Sequence, residues 1–210
     1  MNRAELKSQA KGILSANYWP IIGATVLVMA ILAAVASVPG IGSIASYFII
    51  PVNLGLTLYI VGLIDGGKPS ITDIFTNAFD GRYYLRRVGG YAWMMLFTFL
   101  WSLLFVIPGI VKAYSYALTP YILAKYPEVQ AKEALKVSMK IMDGKKAELF
   151  VLQLSFIGWA MLAGITFGLL GIFFVIPYMA ITDTLWYKRT MESAIETGLF
   201  SYTPVYTPVE

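Results

Sequence analysis

The run from Tyr18 to Val38 contains no charged side chain. A helix of about 20 mostly apolar residues spans the roughly 30 Å hydrocarbon core of a bilayer, so this run is long enough to cross. Five further stretches resemble it: Ile41–Ile64, Val88–Ile107, Ile110–Ala124, Ala147–Thr166 and Gly168–Tyr187. Three of these carry charge, with Lys112 in the fourth span, Glu148 at the edge of the fifth and Asp183 in the sixth. Composition agrees: 58% of residues are hydrophobic and 13% charged, against about 25% charged in an ordinary soluble domain. With mean hydropathy at +0.69, a soluble fold would leave much apolar surface in water, which invites aggregation. The chain contains no cysteine and no histidine. Disulfides, thiolate nucleophiles and cysteine metal sites are excluded, and so is the side chain best suited to proton transfer near neutral pH.

The charges are segregated. Of 16 Lys and Arg, all but Lys112 fall in segments 1–17, 65–87, 125–148 and 188–210. The turns near Pro39-Gly40, Pro108-Gly109 and Gly164–Gly171 carry none. By the positive-inside rule the charged segments are cytoplasmic and the three turns face outward. The expected fold is an all-α integral membrane protein of six transmembrane helices, arranged as three hairpins, with both termini inside. A net charge of +4 and a pI near 9.1 then point to anionic headgroups rather than to nucleic acid. The basic N-terminal region and the apolar run after it are too long for a cleaved signal peptide.

The hairpins resemble internal repeats. Val38-Pro39-Gly40-Ile41, Ile107-Pro108-Gly109-Ile110 and, more weakly, Ile176-Pro177-Tyr178-Met179 place prolines at intervals of 69. Turn-forming Asn17, Asp80 and Asp143 recur at intervals of 63. The units run over about 1–66, 67–127 and 128–190 within one transmembrane domain, followed by a tail, 191–210, that is expected to be partly disordered. The tail's tandem Tyr202-Thr203-Pro204-Val205 and Tyr206-Thr207-Pro208-Val209 suit an extended end.

Each hairpin is preceded by a segment that reads as an amphipathic helix on the cytoplasmic surface. Arg3, Lys7 and Lys11 form one i, i+4 basic stripe, and Lys132, Lys136 and Lys140 form another. Ser70 with Asp73 matches a capping box. Helices of this kind lie in the headgroup plane, and each basic residue there contributes roughly 1 kcal/mol toward an anionic surface. Arg82, Arg86 and Arg87 join the two stripes as candidate headgroup contacts.

No catalytic, cofactor-binding or metal-binding constellation is present in the sequence. Polar groups inside the spans are the remaining functional pointers: Asn53, Lys112, Gln153 and Asp183. Depth separates Lys112 from Asp183. At a rise of 1.5 Å per residue they lie on the order of 15 Å apart across the core. Lys112 is therefore expected to snorkel outward, and Asp183 to reach toward Lys188, Arg189 or the arginines near 82–87.

Asn2-Arg3-Ala4-Glu5-Leu6-Lys7, with Asn17-Tyr18-Trp19 after it, resembles the start of a bacterial membrane-protein family of unknown function, domain-of-unknown-function family nine hundred and seventy-five. Leu100-Trp101-Ser102 through Lys112-Ala113-Tyr114-Ser115-Tyr116 resembles it more closely, as does Glu148–Trp159. The resemblance spans roughly residues 2–190. It implies an integral membrane protein and brings no activity, cofactor or catalytic residue.

Three functions follow as expectations. The first is a non-enzymatic accessory or immunity-type protein of the bacterial cytoplasmic membrane that binds lipids and a membrane partner. The second is a small transporter, channel or lipid-handling protein working through the intramembrane polar residues. A membrane-embedded enzyme ranks last.

Overall fold

A computed structural model describes residues 3–40, 51–104 and 106–201. The first ten residues of the second expected span, and the tandem tail from Tyr202, lie outside these. Among the described residues the fold is all-helical, with no strand.

A polar helix, α1 (Arg3–Ala16), leads into the apolar α2 (Tyr18–Ala36). The chain continues with α3 (Pro51–Ile64), a short α4 (Ile71–Ala78) and the long α5 (Tyr84–Leu104). Next come α6 (Val106–Ser115), α7 (Thr119–Lys125) and α8 (Ala131–Ile141). Helices α9 (Lys146–Leu154) and α10 (Ile157–Ile165) are followed by a π-helical turn, Gly171–Val175, that runs into α11 (Ile176–Glu196).

Local signals set these boundaries. Ser70 and Asp73 form the expected capping box: the Ser70 backbone N–H donates to Asp73 Oδ2 at 2.8 Å and starts α4. Asp80 accepts the Arg82 N–H at 3.0 Å and turns the chain into α5. Proline stands at or near the first residue of α3, α7 and α11, as Pro51, Pro120 and Pro177, where its missing N–H costs nothing.

Among the described residues, two stretches are long and apolar enough to cross a membrane, Tyr18–Ala36 and Lys146–Ile165. The second matches the fifth expected span within one residue at each end. Among the described residues the other expected spans do not meet that test. The fourth span is divided at Tyr116-Ala117-Leu118 into α6 and α7, the fifth turns at Ser155-Phe156 between α9 and α10, and the sixth contains the π-helical turn.

The short helices do not stand apart from the hairpins. α4 packs on α3, α8 on α7 and α5, and α1 on α11. The approach of α4 to α3 requires Gly55, since a Cβ there would lie 2.1 Å from the Ile74 carbonyl oxygen. Gly109 plays the same part between α5 and α6, where a Cβ would lie 2.7 Å from Ser102 Cα. Helices α3, α7 and α11 form the centre, with α3 touching both of the others. Leu54, Leu58, Tyr121, Ile122, Ile181 and Trp186 are among its buried side chains.

Candidate functional site: an acidic cavity between α2, α3, α7 and α11

Asp183 on α11 is the focus of the polar groups inside the bundle. Gln153 of α9 donates from Nε2 to Asp183 Oδ2 at 3.2 Å. Tyr114 of α6 donates from Oη to Gln153 Oε1 at 2.9 Å. These two bonds link three helices in a chain ending on one carboxylate oxygen. The other, Asp183 Oδ1, is buried and makes no hydrogen bond among the described residues. A buried polar atom left unmatched is costly, and a buried carboxylate more so.

Asp183 lines a cavity of about 330 Å³. Asn53 and Thr57 face it from α3, Thr25 from α2, and Tyr91 from α5. Tyr121 enters just beyond the break before α7, and Tyr187 lies one turn from Asp183. Thr25 Oγ1 is likewise buried without a hydrogen bond. Two irregularities precede lining residues in the chain: the break at 116–118 comes before Pro120, and the π-helical turn runs directly into Ile176. π-helical turns concentrate at functional sites.

Three of the four expected intramembrane residues, Asn53, Gln153 and Asp183, therefore converge on one region. Lys112 does not. Its Nζ lies 4.9 Å from the Trp101 ring centroid and 3.9 Å from Met139 Sδ. The partners expected for Asp183 are committed elsewhere, which corrects that reading. Lys188 forms an ion pair with Asp65, Arg189 pairs with Glu5 at 2.8 Å, and Asp183 is held by the neutral Gln153.

Asp65, directly after α3, gathers a second polar cluster. It receives Lys188 from α11, and Lys125 Nζ from the end of α7 at 4.0 Å. Burial lowers the Lys125 pKa, and Asp65 opposes that shift. Each of these residues closes or follows an apolar run, so the sequence presents them as topology charges rather than as a cluster.

The basic candidates divide into two sets. Arg3, Lys11, Arg82, Lys132, Lys136 and Lys140 are exposed. Arg86, Arg87 and Lys7 turn inward to backbone carbonyls. Arg86 donates to Leu123 O at 2.7 Å, to Tyr126 O at 3.0 Å and to Val129 O. It thereby satisfies carbonyls that the end of α7 leaves open. Burial and the neighbouring Arg87 charge push its pKa down to about 10. Arg87, only 4% exposed, donates to Asn77 O at the end of α4. Lys7 donates to Ser155 O at the α9–α10 junction at 3.1 Å and lies 4.1 Å from the Phe156 ring centroid.

A second, apolar hollow of about 300 Å³ runs between α5 and α8. Trp93, Phe97 and Leu135 line it, and Lys132 and Lys136 edge it.

The family model described as Protein of unknown function (DUF975) matches residues 91–194. That stretch contains Tyr114, Gln153 and Asp183, whereas Asn53 and the resembling residues 2–19 lie before it. No curated protein and no solved structure matches the chain.

Proposed function

We propose that this chain, whose residues 91–194 match the DUF975 family model, is a multi-pass protein of the bacterial cytoplasmic membrane that binds a small polar ligand inside the bilayer without enzymatic chemistry. The carrying observation is where its polar and apolar groups lie. The hairpin α5–α6 turns Phe99, Leu103 and Ile107 outward, and α10 with its following turn exposes Met161, Ile165 and Phe167. Phe167, at the tip, is 98% exposed with φ +51. The polar chain Tyr114–Gln153–Asp183 points inward to a cavity. Lipid-facing apolar surface around an interior polar site is the arrangement a bilayer favours. Interrupted helices bordering such a site are a feature of transporters.

The absence of cysteine makes topology simple to read. Single-cysteine variants Phe167→Cys and Lys136→Cys are treated in intact cells with a membrane-impermeant thiol reagent. Labelling of position 167 in intact cells, and of 136 only after permeabilisation, is expected. Equal labelling at both would remove the hairpin topology.

The hollow between α5 and α8 favours a second reading, an accessory protein that receives a membrane partner there. Repeated purification of the protein alone after gentle extraction would count against it.

A further inference from the structure

The cavity's chemistry is one-sided. It presents one carboxylate, an amide from Asn53, the hydroxyls of Thr25, Thr57 and Thr184, and three tyrosine side chains. None of its described lining residues is Lys or Arg. Lys125 lies 5.9 Å from the Tyr121 ring centroid but is engaged with Asp65. Asp183 Oδ1 is thus a buried acceptor without a protein donor among the described residues.

An anion would meet Asp183 with like charge and no compensating cation. A neutral solute would leave the carboxylate's charge uncompensated. A bare metal ion would fill little of about 330 Å³, since one water occupies about 30 Å³ of liquid. A cation carrying a few carbons uses both the carboxylate and the aromatic lining, because ring faces attract ammonium groups.

We propose that this cavity binds a small organic ammonium ion, with Asp183 as counter-ion, Asn53 and the threonine hydroxyls as acceptors, and Tyr91, Tyr121 and Tyr187 as the aromatic wall. The inference rests on the ligand-binding reading above and names its ligand class.

The test uses the full chain in lipid nanodiscs, titrated calorimetrically with methylammonium and tetramethylammonium chloride at constant ionic strength. Sodium acetate and glycerol serve as the anionic and neutral probes. Saturable binding of at least one ammonium probe is expected. Asp183→Asn weakens it at least tenfold, and Lys112→Ala leaves it unchanged. Ala180→Phe keeps the carboxylate but fills the cavity, and also abolishes binding; it carries the test if Asp183→Asn fails to fold. Absence of saturable ammonium binding overturns the proposal, as does binding that survives both Asp183→Asn and Ala180→Phe. Binding of acetate or glycerol in place of ammonium overturns the ligand class and leaves the ligand-binding reading standing. The cysteine labelling above reports separately on the membrane topology.

Discussion

The hairpin α5–α6 and the central helix α3 are both apolar, yet they use that character in opposite ways. In α3, Leu54, Leu58 and Val61 are buried, and the polar residue that follows it, Asp65, is matched by two lysines. On α5–α6, Phe99, Leu103 and Ile107 are exposed. The stretch Lys146–Ile165 behaves like α5–α6, with only 22% of its most apolar window buried. An apolar helix in the core of a soluble protein is mostly covered by its neighbours. An outer layer of greasy helices around an inner set joined by ion pairs fits the membrane setting proposed above. In the bilayer the outer side chains need no protein partner, while unmatched polar atoms inside are expensive.

The largest expected effect falls on the inner set. Asp65→Ala strands Lys125 and Lys188 partly buried, and removing one partner of a buried pair costs about 3–5 kcal/mol. Thermal unfolding in detergent should show a clearly lowered midpoint, or no folded protein. Asp65→Leu combined with Lys188→Met should recover much of the loss. A silent Asp65→Ala would mean that the inner helices do not depend on this cluster.

A smaller loss is expected from Arg86→Met, which removes the donors to Leu123 O, Tyr126 O and Val129 O. Hydrogen bonds from charged groups are worth about 1.5–3 kcal/mol. Arg86→Lys should restore little, because one ammonium lacks the guanidinium fork. Equal melting of Arg86→Lys and wild type would contradict the capping role.

The smallest effects sharpen the contrast through two glycines. Gly55→Ala forces a Cβ onto the Ile74 carbonyl and should cost about 1–3 kcal/mol, as overpacking does. Gly158→Ala, on the outer α10 with nothing within 4 Å of its added carbon, should be neutral or gain up to about 1 kcal/mol from helix propensity. Melting both variants side by side is sufficient. The reverse order would mean that α10 is tightly packed.

Features set by short-range chemistry were legible in the sequence. The Ser70 capping box, the turn at Asp80 and the bounds of the fifth span follow from neighbouring residues, and the structure has all three. The break at Tyr116-Ala117-Leu118 falls just before Pro120, which interrupts the fourth span in the sequence. The Asp65–Lys125–Lys188 cluster joins segments about 60 residues apart, and periodicity carries no signal for such a meeting. Arg86 and Arg87 read as headgroup contacts because they sit among other basic residues. The two carbonyl-lined helix ends that hold them are visible only in three dimensions. For the site, polarity inside apolar runs identified Asn53, Gln153 and Asp183 but also selected Lys112, which the fold places against Trp101 and Met139.

The most direct test of the outer surface is its solvent. Nitroxide labels on Phe99→Cys and Met161→Cys, in protein reconstituted into nanodiscs, report collisions with oxygen, which concentrates in lipid, and with a nickel chelate, which stays in water. Frequent oxygen collisions and few with the chelate at both positions are the result expected of hairpins lying in hydrocarbon. Free access of the nickel chelate to both would contradict it.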